Sequence, residues 1–409
     1  MDKKAPVVRF KGFEDEWEQR KLGDMVDRLK SYSLSRDVET SEETGIKYIH
    51  YGDIHTKVAD KITRKSNLPT IKNGIYESLQ KGDLILADAS EDYQGIATPS
   101  IIIEDMAFQI VAGLHTIAIR PIEVDSIYLY YLINTQTFRR HGYRVGTGMK
   151  VFGISVKNIM NFTTLFPSYE EQVKTGSLLL RIEKTIALHQ RKLETLKQLK
   201  KGFLQKLFPK NQENVPEIRF ANFQEEWEQR KLGEITESYS GGTPGAGNKM
   251  YYGGNIPFIR SGEINDDKTE LFITEEGLNN SSAKMVSKGD ILYALYGATS
   301  GEVGISKING AINQAILAIK LKEDDDSYLI TQWFKKQKDS IIATYLQGGQ
   351  GNLSGSIVKE LTLQLPIDKN EQQKIGAFFK SLDDTIDLHQ NKLEQLRNIK
   401  NGLLQKMFI

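Results

Sequence analysis

The chain has 409 residues, of which 39% are hydrophobic and 26% are charged, and its net charge is +1; this suits two or three folded domains and excludes wholesale disorder or a strongly charged tail. It contains no cysteine, which excludes disulfides, thiolate zinc sites, thiol nucleophiles and iron–sulfur ligation, and is typical of the cytoplasm. The first residues are charged and no apolar run reaches a membrane span, so we expect neither secretion nor membrane insertion.

The first element, at residues 6–25, returns at 216–235 with 12 of 20 positions identical, and both copies contain Trp-Glu-Gln-Arg-Lys-Leu-Gly. A second match, between 171–208 and 371–408, has 19 of 38 positions identical. The two matches come in the same order, with an offset that falls from 210 to 200, and this indicates a duplicated fold with a few deletions. We therefore predict two modules with similar edges and divergent middles, which suggests one scaffold supporting two specificities.

Short β-branched and aromatic runs in the first module, separated by Gly, Asp and Asn, predict strands. They lie at 47–51, 83–87 and 100–103. His50 and His55 flank Asp53 in the first run, which raises a metal site as one interpretation. Residues five apart on a strand face opposite sides of the sheet, so we favour no metal site there.

A stretch without any Asp or Glu extends from Ser126 to Tyr169 and begins with a predicted helix near 126–142. Its basic residues stand among tyrosines, phenylalanines and a histidine, a pattern typical of a surface that contacts nucleic-acid phosphates. The alternative is a solvated helix face followed by a loop. The basic residues are Arg139, Arg140, Arg144, Lys150 and Lys157.

A long helix is predicted from Ser168 to Leu207, and its repeat from about Asp368 to Met407. Each begins with a capping-box pattern and carries an apolar heptad seam, so we expect the two helices to pack as a coiled coil. Forty residues of helix extend about 60 Å. Each seam contains one histidine, His189 or His389, which we interpret as a packed seam residue in preference to a metal ligand.

The second module repeats the strand pattern at 256–259, 290–294 and 315–319, and its helix is predicted near 327–342. The acidic run at 323–326 before this helix is either a cation site or charge that complements the helix dipole, and we favour the second. Lysines on the helix and the glutamine- and asparagine-containing loop at 347–355 repeat the basic, loop-linked surface of the first module. Asn and Gln suit adenine edges, and Arg suits guanine.

Catalytic motifs are absent from the sequence. Residues 242–247 have the opening spacing of a phosphate-binding loop, but Asn248 stands where a lysine is required. There is no dinucleotide-binding glycine fingerprint, no zinc-protease motif, no nucleophile elbow and no Asn-Pro-Pro-Tyr-type motif for a flipped adenine. We predict a non-catalytic binding protein with no metal site, whose chemistry lies in a partner.

The combined motifs resemble those of the specificity subunit of type I restriction-modification systems. The resemblance is carried by Gly-Gly-Thr-Pro at 241–244, Tyr-Gly-Gly-Asn-Ile-Pro-Phe-Ile-Arg-Ser-Gly-Glu-Ile at 252–264, Gly-Asp-Ile-Leu-Tyr-Ala-Leu-Tyr-Gly-Ala-Thr-Ser-Gly at 289–301 and Ile-Asn-Gln-Ala at 312–315. The first module departs from this pattern. It has no Gly-Gly-Thr-Pro, and Ala-Asp-Ala-Ser-Glu-Asp-Tyr-Gln-Gly replaces the Tyr-Gly-Ala-Thr-Ser-Gly loop, as expected if the modules recognise different sequences.

The resemblance implies an α+β fold with two similar target recognition domains, at 1–166 and 216–366. These are mixed β-structures with short helices, separated by two long antiparallel coiled-coil spacer helices within 167–215 and 367–409. It also implies that the chain binds double-stranded DNA at a bipartite target and directs two modification (methyltransferase) subunits and restriction subunits to it in the cytoplasm. S-adenosylmethionine, ATP and Mg²⁺ are expected on those partners and no cofactor on this chain. The alternative is a coiled-coil interaction scaffold without its own DNA readout.

Two sets of candidate residues follow from the patterns and the resemblance. The predicted DNA-contacting residues are Arg139, Arg140, Arg144, Lys150, Tyr93, Gln94, Thr243, Lys249, Arg260, Tyr296, Thr299, Lys335, Lys336, Lys338, Gln350 and Asn352. The predicted partner-binding residues of the spacer helices are Ile182, Ile186, His189, Leu193, Leu196, Leu382, Ile386, His389, Leu393 and Leu396.

Overall fold

The structure, a computed structural model, describes residues 5–92, 95–148, 151–210, 213–345 and 352–409. The chain divides into two compact units, and each long helix begins in one unit and ends in the other. The first unit is Met1–Gln190 with Asn391–Ile409, and the second is Arg191–Gln390.

Most of the predicted strand and helix runs form the expected element. The helices are α1 Tyr51–His55, α2 Ser126–Ile133, α3 Gln136–Val145, α4 Val156–Met160, α5 Tyr169–Lys206, α6 Leu232–Ile235, α7 Glu275–Asn279, α8 Ser327–Tyr345, α9 Gly355–Glu360 and α10 Lys369–Lys406. The strands of the first unit are β1 Glu18–Lys21, β2 Val26–Arg28, β3 Ile46–Ile49, β4 Lys61–Ile62, β5 Leu84–Ala87, β6 Ala89–Ser90, β7 Pro99–Ile102, β8 Gln109–Ala112, β9 Thr116–Pro121, β10 Phe152–Gly153 and β11 Thr163–Phe166. Those of the second unit are β12 Glu228–Lys231, β13 Thr236–Ser240, β14 Tyr252–Ile259, β15 Phe272–Ile273, β16 Lys284–Val286, β17 Ile291–Ala294, β18 Val303–Ile305, β19 Gly310–Ile312, β20 Ile316–Leu321 and β21 Thr362–Leu365.

The two units repeat one mixed β architecture. In the first, a sheet of order β2-β9-β5-β7-β4 stands beside the parallel pair β3-β8. In the second, β13-β20-β17-β18 is the corresponding sheet, and β14 pairs parallel with β19. The repeated Trp-Glu-Gln-Arg-Lys segment supplies β1 and β12, which pair antiparallel with β11 and β21 just before the long helices.

The ends of the long helices complete cores in which they do not begin. Phe408, two residues after the end of the second long helix, is 6% exposed within the first unit's core and stacks on Tyr128 with ring centroids 5.0 Å apart. Phe208 is 1% exposed within the second unit's core, beside Trp227. Burying a large aromatic side chain contributes about 2 kcal/mol or more, so each helix end stabilises the unit in which it finishes.

Buried ion pairs join each N-terminal segment to the start of a long helix. Arg9 donates two hydrogen bonds to Glu171 at 2.8 and 2.9 Å, and Arg219 donates two to Glu371 at 2.6 and 2.7 Å. Both glutamates are 1% exposed. The capping-box prediction is therefore only half right, because Ser168 Oγ accepts from Glu171 N–H at 3.4 Å while the Glu171 carboxylate is held by the arginine.

The glutamines that follow these glutamates secure the shorter helices. Gln172 accepts from the N–H of Asp125, and Gln372 accepts from the N–H of Asp326. Each aspartate in turn caps the helix after it, since its carboxylate accepts an N–H of the first turn. Within the acidic run before α8, Asp326 therefore serves the helix N-terminus as predicted, whereas Asp325 is held by Lys369 and Gln372. The helix expected near 126–142 is instead two helices, broken where Thr135 caps α3.

The expectation of a strand through His50 and His55 is wrong. The strand β3 ends at Ile49, and His50 caps the short helix α1 by accepting from Gly52 N–H at 3.1 Å. Asp53 closes the same turn by accepting from His50 N–H at 2.9 Å, and it pairs with Arg36 at 2.8 Å. A histidine and an aspartate three residues apart can close such a reciprocal cap, which ends the strand.

Within each unit, the portions of the two long helices that it contains pack antiparallel. In the first unit Lys400 pairs with Glu183, and Arg397 lies 3.5 Å from the Gln190 side chain. In the second unit Lys200 pairs with Asp383 at 2.5 Å. The fold class predicted from the sequence is confirmed: α+β, with an internal repeat and long antiparallel helices.

Candidate nucleic-acid interface

Four segments meet at one end of the sheets in the second unit, and we name them the second loop edge. They are residues 241–245, 295–302, 313–315 and 352–353. Leu295 N–H donates to Ala315 C=O at 2.8 Å, and Leu353 N–H donates to Leu295 C=O at 2.9 Å. The Thr243 hydroxyl donates to the Gln314 side-chain oxygen at 2.7 Å. These bonds bring into one place the motifs that are far apart in the sequence.

Close backbone approach explains the glycine pair of the Gly-Gly-Thr-Pro segment. A Cβ on Gly241 would lie 1.9 Å from the carbonyl oxygen of Ile312, and one on Gly242 would lie 2.5 Å from Ser282 Cβ. Real side chains do not tolerate such distances, so only glycine allows the segment to lie against β19. The following Thr243 is exposed as a result.

The first unit forms a corresponding first loop edge, made of residues 30–34, 50–55, 88–90, 113–115 and 153–154. Asp88 N–H donates to His115 C=O at 3.1 Å and Ile154 N–H donates to Asp88 C=O at 2.9 Å, which repeats the pattern of the second edge. Leu114 N–H donates to Leu34 C=O, and His55 Nε2 lies 2.8 Å from Ala89 C=O. The two edges thus share a backbone framework and differ in side chains.

Four predicted residues of the second unit belong to the second loop edge: Thr243, Tyr296, Thr299 and Asn352. Tyr296 and Asn352 face each other as an isolated β-bridge. Lys249 is exposed in a short 3₁₀ turn before β14. The structure therefore brings these four residues to one edge, whereas Lys249 lies on a separate segment.

Arg260, another predicted contact, follows β14 and is held by carboxylates. Its guanidinium lies 2.6 Å from Glu263 and 3.2 Å from Glu270. Burial alone would raise the pKa of Glu263, but hydrogen bonds from the Arg260 side chain and from backbone N–H groups outweigh it and lower the pKa to about 2. The geometry makes Arg260 a local clamp as well as a candidate phosphate contact.

The three predicted arginines of the first unit lie on α3 and differ in environment. Arg139 is partly buried, where it donates to the Ile96 carbonyl at 2.6 Å, and burial lowers its pKa. It therefore anchors the loop before β7. Arg140 and Arg144 are exposed, which leaves these two guanidinium groups accessible to a polyanion.

The three predicted lysines of α8 are engaged within the second unit. Lys335 Nζ is 4.0 Å from Asp383, Lys336 donates to the Pro209 carbonyl at 2.9 Å, and Lys338 pairs with Glu302. Burial lowers the pKa of Lys335, helped by nearby Lys200, and burial also lowers that of Lys336. These contacts give α8 fewer available charges than its sequence suggests.

Tyr93, Gln94, Lys150 and Gln350 lie outside the described residues, so they stay predictions from the sequence. Sequence reasoning missed His115, Tyr51 and Gln314, which the loop edges expose or half-expose. Residues 113–115 and 313–315 follow equivalent strands and lie 200 residues apart, which is the offset of the second sequence match. The sequences of these two turns do not reveal the equivalence, because Gly-Leu-His and Asn-Gln-Ala share no residue.

The predicted partner-binding residues line the helix seam. Ile386, His389 and Leu393 are buried, and the other seven are partly buried in the isolated chain. Near the seam, attraction to Lys61 and a hydrogen bond from Lys400 hold the pKa of Glu183 below its usual value although burial opposes this. Tyr131 also donates to Glu183 at 2.8 Å, which ties α2 to the helix pair.

Outward positions of the same helices expose apolar side chains at matched sites. Leu188 is 64% exposed and Leu388 is 67% exposed, and the second pair, Leu199 and Ile399, is exposed by 48% and 51%. Single exposed apolar residues are common, but here each recurs at an offset of 200.

In the described ranges, which omit residues 1–4, 93–94, 149–150, 211–212 and 346–351, no group of three or more His, Asp or Glu side chains is arranged to hold a metal ion. In the same ranges, no helix combines the length and apolarity needed to cross a membrane.

Comparison with known proteins gives matches that extend over most of the chain. A family model described as the type I restriction modification DNA specificity domain matches residues 14–198 and again 224–398. A putative type I restriction enzyme MjaX specificity subunit from Methanocaldococcus jannaschii is 23% identical over 416 residues, covering 95% of this chain and 92% of that protein. The EcoR124I/EcoR124II specificity subunit from Escherichia coli is 26% identical over 211 residues, covering 46% of this chain and 52% of that protein.

Solved structures show the same fold. The crystal structure of the S subunit of a type I restriction-modification system from M. genitalium aligns with a TM-score of 0.67 at 15% identity, covering 99% of both chains. At this identity the likeness concerns architecture alone, and it agrees with the duplicated α+β fold described above.

Proposed function

We propose a function from one premise: the chain belongs to the type I restriction-modification DNA specificity family, whose role is DNA sequence recognition. Within that role the chain is the non-catalytic, sequence-recognising subunit. It acts with DNA and with other restriction-modification subunits. The alternative of a scaffold without DNA readout is not favoured, since both matched regions are DNA specificity domains.

The finer proposal is that each unit recognises one half of a bipartite DNA target through its loop edge. The observation that supports it most strongly is the repeated backbone framework of the two edges, which carries different side chains in each unit. Base recognition requires polar groups fixed at a rigid edge, and different bases require different groups. The long helices, about 60 Å by sequence length, are stiff enough to fix the unread gap near one helical turn of DNA.

We further propose that two modification subunits, which methylate adenine, and restriction subunits assemble on this chain in the cytoplasm. S-adenosylmethionine, ATP and Mg²⁺ would be bound by those partners. The matched exposed pairs, Leu188 with Leu388 and Leu199 with Ile399, support two similar docking surfaces on the long helices. Near-neutral net charge is compatible with DNA binding if partner subunits supply part of the phosphate clamp.

One experiment tests the bipartite readout. The chain is co-purified with its modification subunits, and the complex selects bound sequences from random double-stranded DNA. We expect two short blocks at one fixed spacing. The modification subunits alone are the control and should give no such blocks. A single continuous block, or a complex that forms but enriches no sequence, would overturn the proposal, and the second result would favour the scaffold.

Docking of the modification subunits is tested separately. The double variant Leu188→Ser and Leu388→Ser should lower co-purification of the modification subunit at least about tenfold, because each change removes an apolar contact from an interface. Ile75→Ser, on a fully exposed side chain of the first unit, is the matched control and should leave co-purification unchanged.

A further inference from the structure

The turn between β8 and β9 holds one residue in an unusual backbone conformation. His115 has φ +56°, a left-handed value that costs a non-glycine residue on the order of 1 kcal/mol. Its backbone is held there because Asp88 N–H donates to its carbonyl at 3.1 Å. The result is that the imidazole stands at the tip of the turn, with 51% of the side chain exposed.

Neighbouring side chains fix the orientation of this ring. Asp88 Oδ1 lies 3.1 Å from His115 Nδ1, and a carboxylate can only accept, so Nδ1 carries the hydrogen. The Tyr51 ring stands nearly perpendicular to the imidazole at 85°, with centroids 5.4 Å apart. Among the residues that the structure describes, Nε2 has no hydrogen-bond partner. In the neutral ring it is therefore an acceptor pointing away from Asp88.

The equivalent turn of the second unit occupies the same position in its loop edge but carries different side chains. There Ala315 is 7% exposed, and the exposed polar residue is its neighbour Gln314, whose side-chain oxygen accepts from Thr243. Each unit thus presents an exposed, oriented polar side chain from this turn. One is an amide and the other an imidazole, and they come from adjacent positions of the turn.

The first loop edge also carries an exposed lysine. Lys30 belongs to the same loop edge, is exposed, and has its Nζ 4.8 Å from the centre of the Tyr32 ring. A lysine steadied by an aromatic ring can contact a phosphate while a neighbouring group reaches a base edge.

We propose that His115, oriented by Asp88 and Tyr51, is a specificity-determining residue that contacts a base in the half-site of the first unit. With the ring neutral, the acceptor Nε2 selects a base whose major-groove edge carries an amino donor, which means adenine N6 or cytosine N4. This inference rests on the proposed bipartite readout and adds the residue and the chemical group that it recognises.

The test uses the complex of the full chain with its modification subunits in the random-DNA selection. His115→Gly removes the imidazole and at the same time suits the positive φ, so that no strain is introduced. Asn222→Gly is the matched control, because Asn222 is also exposed, has φ +76°, and lies in the N-terminal segment of the second repeat. Gln314→Ala identifies the block that belongs to the second unit.

We expect His115→Gly to lose preference for adenine or cytosine at one position of the first unit's block, by at least about fivefold in relative binding. His115→Asn, whose amide oxygen also accepts and which tolerates this conformation, should keep part of the preference. The other block, the spacing and the Asn222→Gly selection should not change.

Two results would overturn the inference. One is an unchanged block with His115→Gly, and the other is a loss of both blocks together, which would make His115 a structural residue. A wild-type complex that selects no paired blocks contradicts the bipartite proposal itself, so the two failures are distinguishable.

Discussion

The two units differ least where each module meets a long helix and most where loops end the sheets. The pair Arg9–Glu171 recurs as Arg219–Glu371 with matching geometry and burial. At the loop edges, by contrast, His115 in one unit stands where the second has buried Ala315 beside exposed Gln314. The contacts that build the modules are thus shared, whereas the exposed side chains at the loop edges differ.

A second contrast concerns positive charge. The first unit exposes Arg140 and Arg144 on α3, whereas in the second Lys335, Lys336 and Lys338 on α8 are engaged by a carboxylate, a backbone carbonyl or an aromatic ring. Similar basic patterns in sequence therefore lead to different amounts of available charge.

The largest expected effect comes from exchanging a whole module. Replacing residues 22–165 with the corresponding segment of another family member should change one half of the DNA target completely. The other half and the gap should stay the same, because the helices and the second unit are retained. Selection from random DNA by the exchanged complex measures this. A change in both halves would show that the two units do not recognise DNA independently.

Removal of a buried glutamate should have the next largest effect, and it tests whether the equivalent ion pairs of the two units contribute equally to stability. Glu171→Ala and Glu371→Ala each leave a largely buried guanidinium without its carboxylate, which costs about 3 kcal/mol of unfolding free energy. Chemical denaturation followed by circular dichroism measures the loss. Lys231→Ala breaks an exposed pair with Glu360 and should cost far less than either glutamate variant, because water screens an exposed ion pair. Unequal losses of unfolding free energy for the two glutamates would show that the two ion pairs are not equivalent.

Exposed arginines should affect DNA affinity more modestly. Arg140→Ala and Arg144→Ala should each weaken binding and reduce the slope of log affinity against log salt by about 1, since one phosphate contact is lost. Lys335→Ala should leave the slope unchanged because its ammonium already lies near Asp383. Titrations of DNA at several salt concentrations give the slopes. Equal slopes for wild type and both arginine variants would remove these residues from the phosphate contacts.

The smallest effect concerns acid stability in the second unit. The pKa of Glu263 in the folded chain is about 2, below the ordinary 4.5, so its ion pair stabilises the fold above about pH 4.5 and this contribution is lost as the pH falls through 2. Arg260 is 46% exposed, and solvent screening reduces the contribution to about 1 kcal/mol.

Glu263→Gln should therefore flatten the dependence of unfolding free energy on pH between about 4.5 and 2. Glu275→Gln, in the same unit, is the control. An unchanged profile for Glu263→Gln would show that Arg260 is available for other partners.

Much of the architecture was predictable because it depends on local pattern. The heptad seam predicted 168–207 as helix and the structure has Tyr169–Lys206, while the run at 83–87 became Leu84–Ala87. The strand expected through His50 was wrong, since a reciprocal cap with Asp53 competes with extended structure. Hydrophobic periodicity and strand propensity depend on residues that are neighbours in the sequence. The cap between His50 and Asp53 depends instead on the geometry of the two side chains.

The candidate site was predictable only in part. Thr243, Tyr296 and Asn352 were found from motifs, and the structure brings them to one edge through bonds between distant backbone segments. Arg139 was predicted as a DNA contact, yet it donates to the Ile96 carbonyl, because a loop 43 residues away in sequence returns to it. No local pattern contains that information.

The sequence by itself determined the duplication, the two long helices, the absence of cysteine chemistry and the motifs of the family, because each of these is written in residue identity and spacing. Tertiary structure alone decided that Phe408 completes the first core and Phe208 the second, that Glu171 and Glu371 bind arginines, and that His115 is oriented at a loop edge. The physical reason is that burial and hydrogen bonding join residues by distance in space, and those distances exist only once the chain has folded.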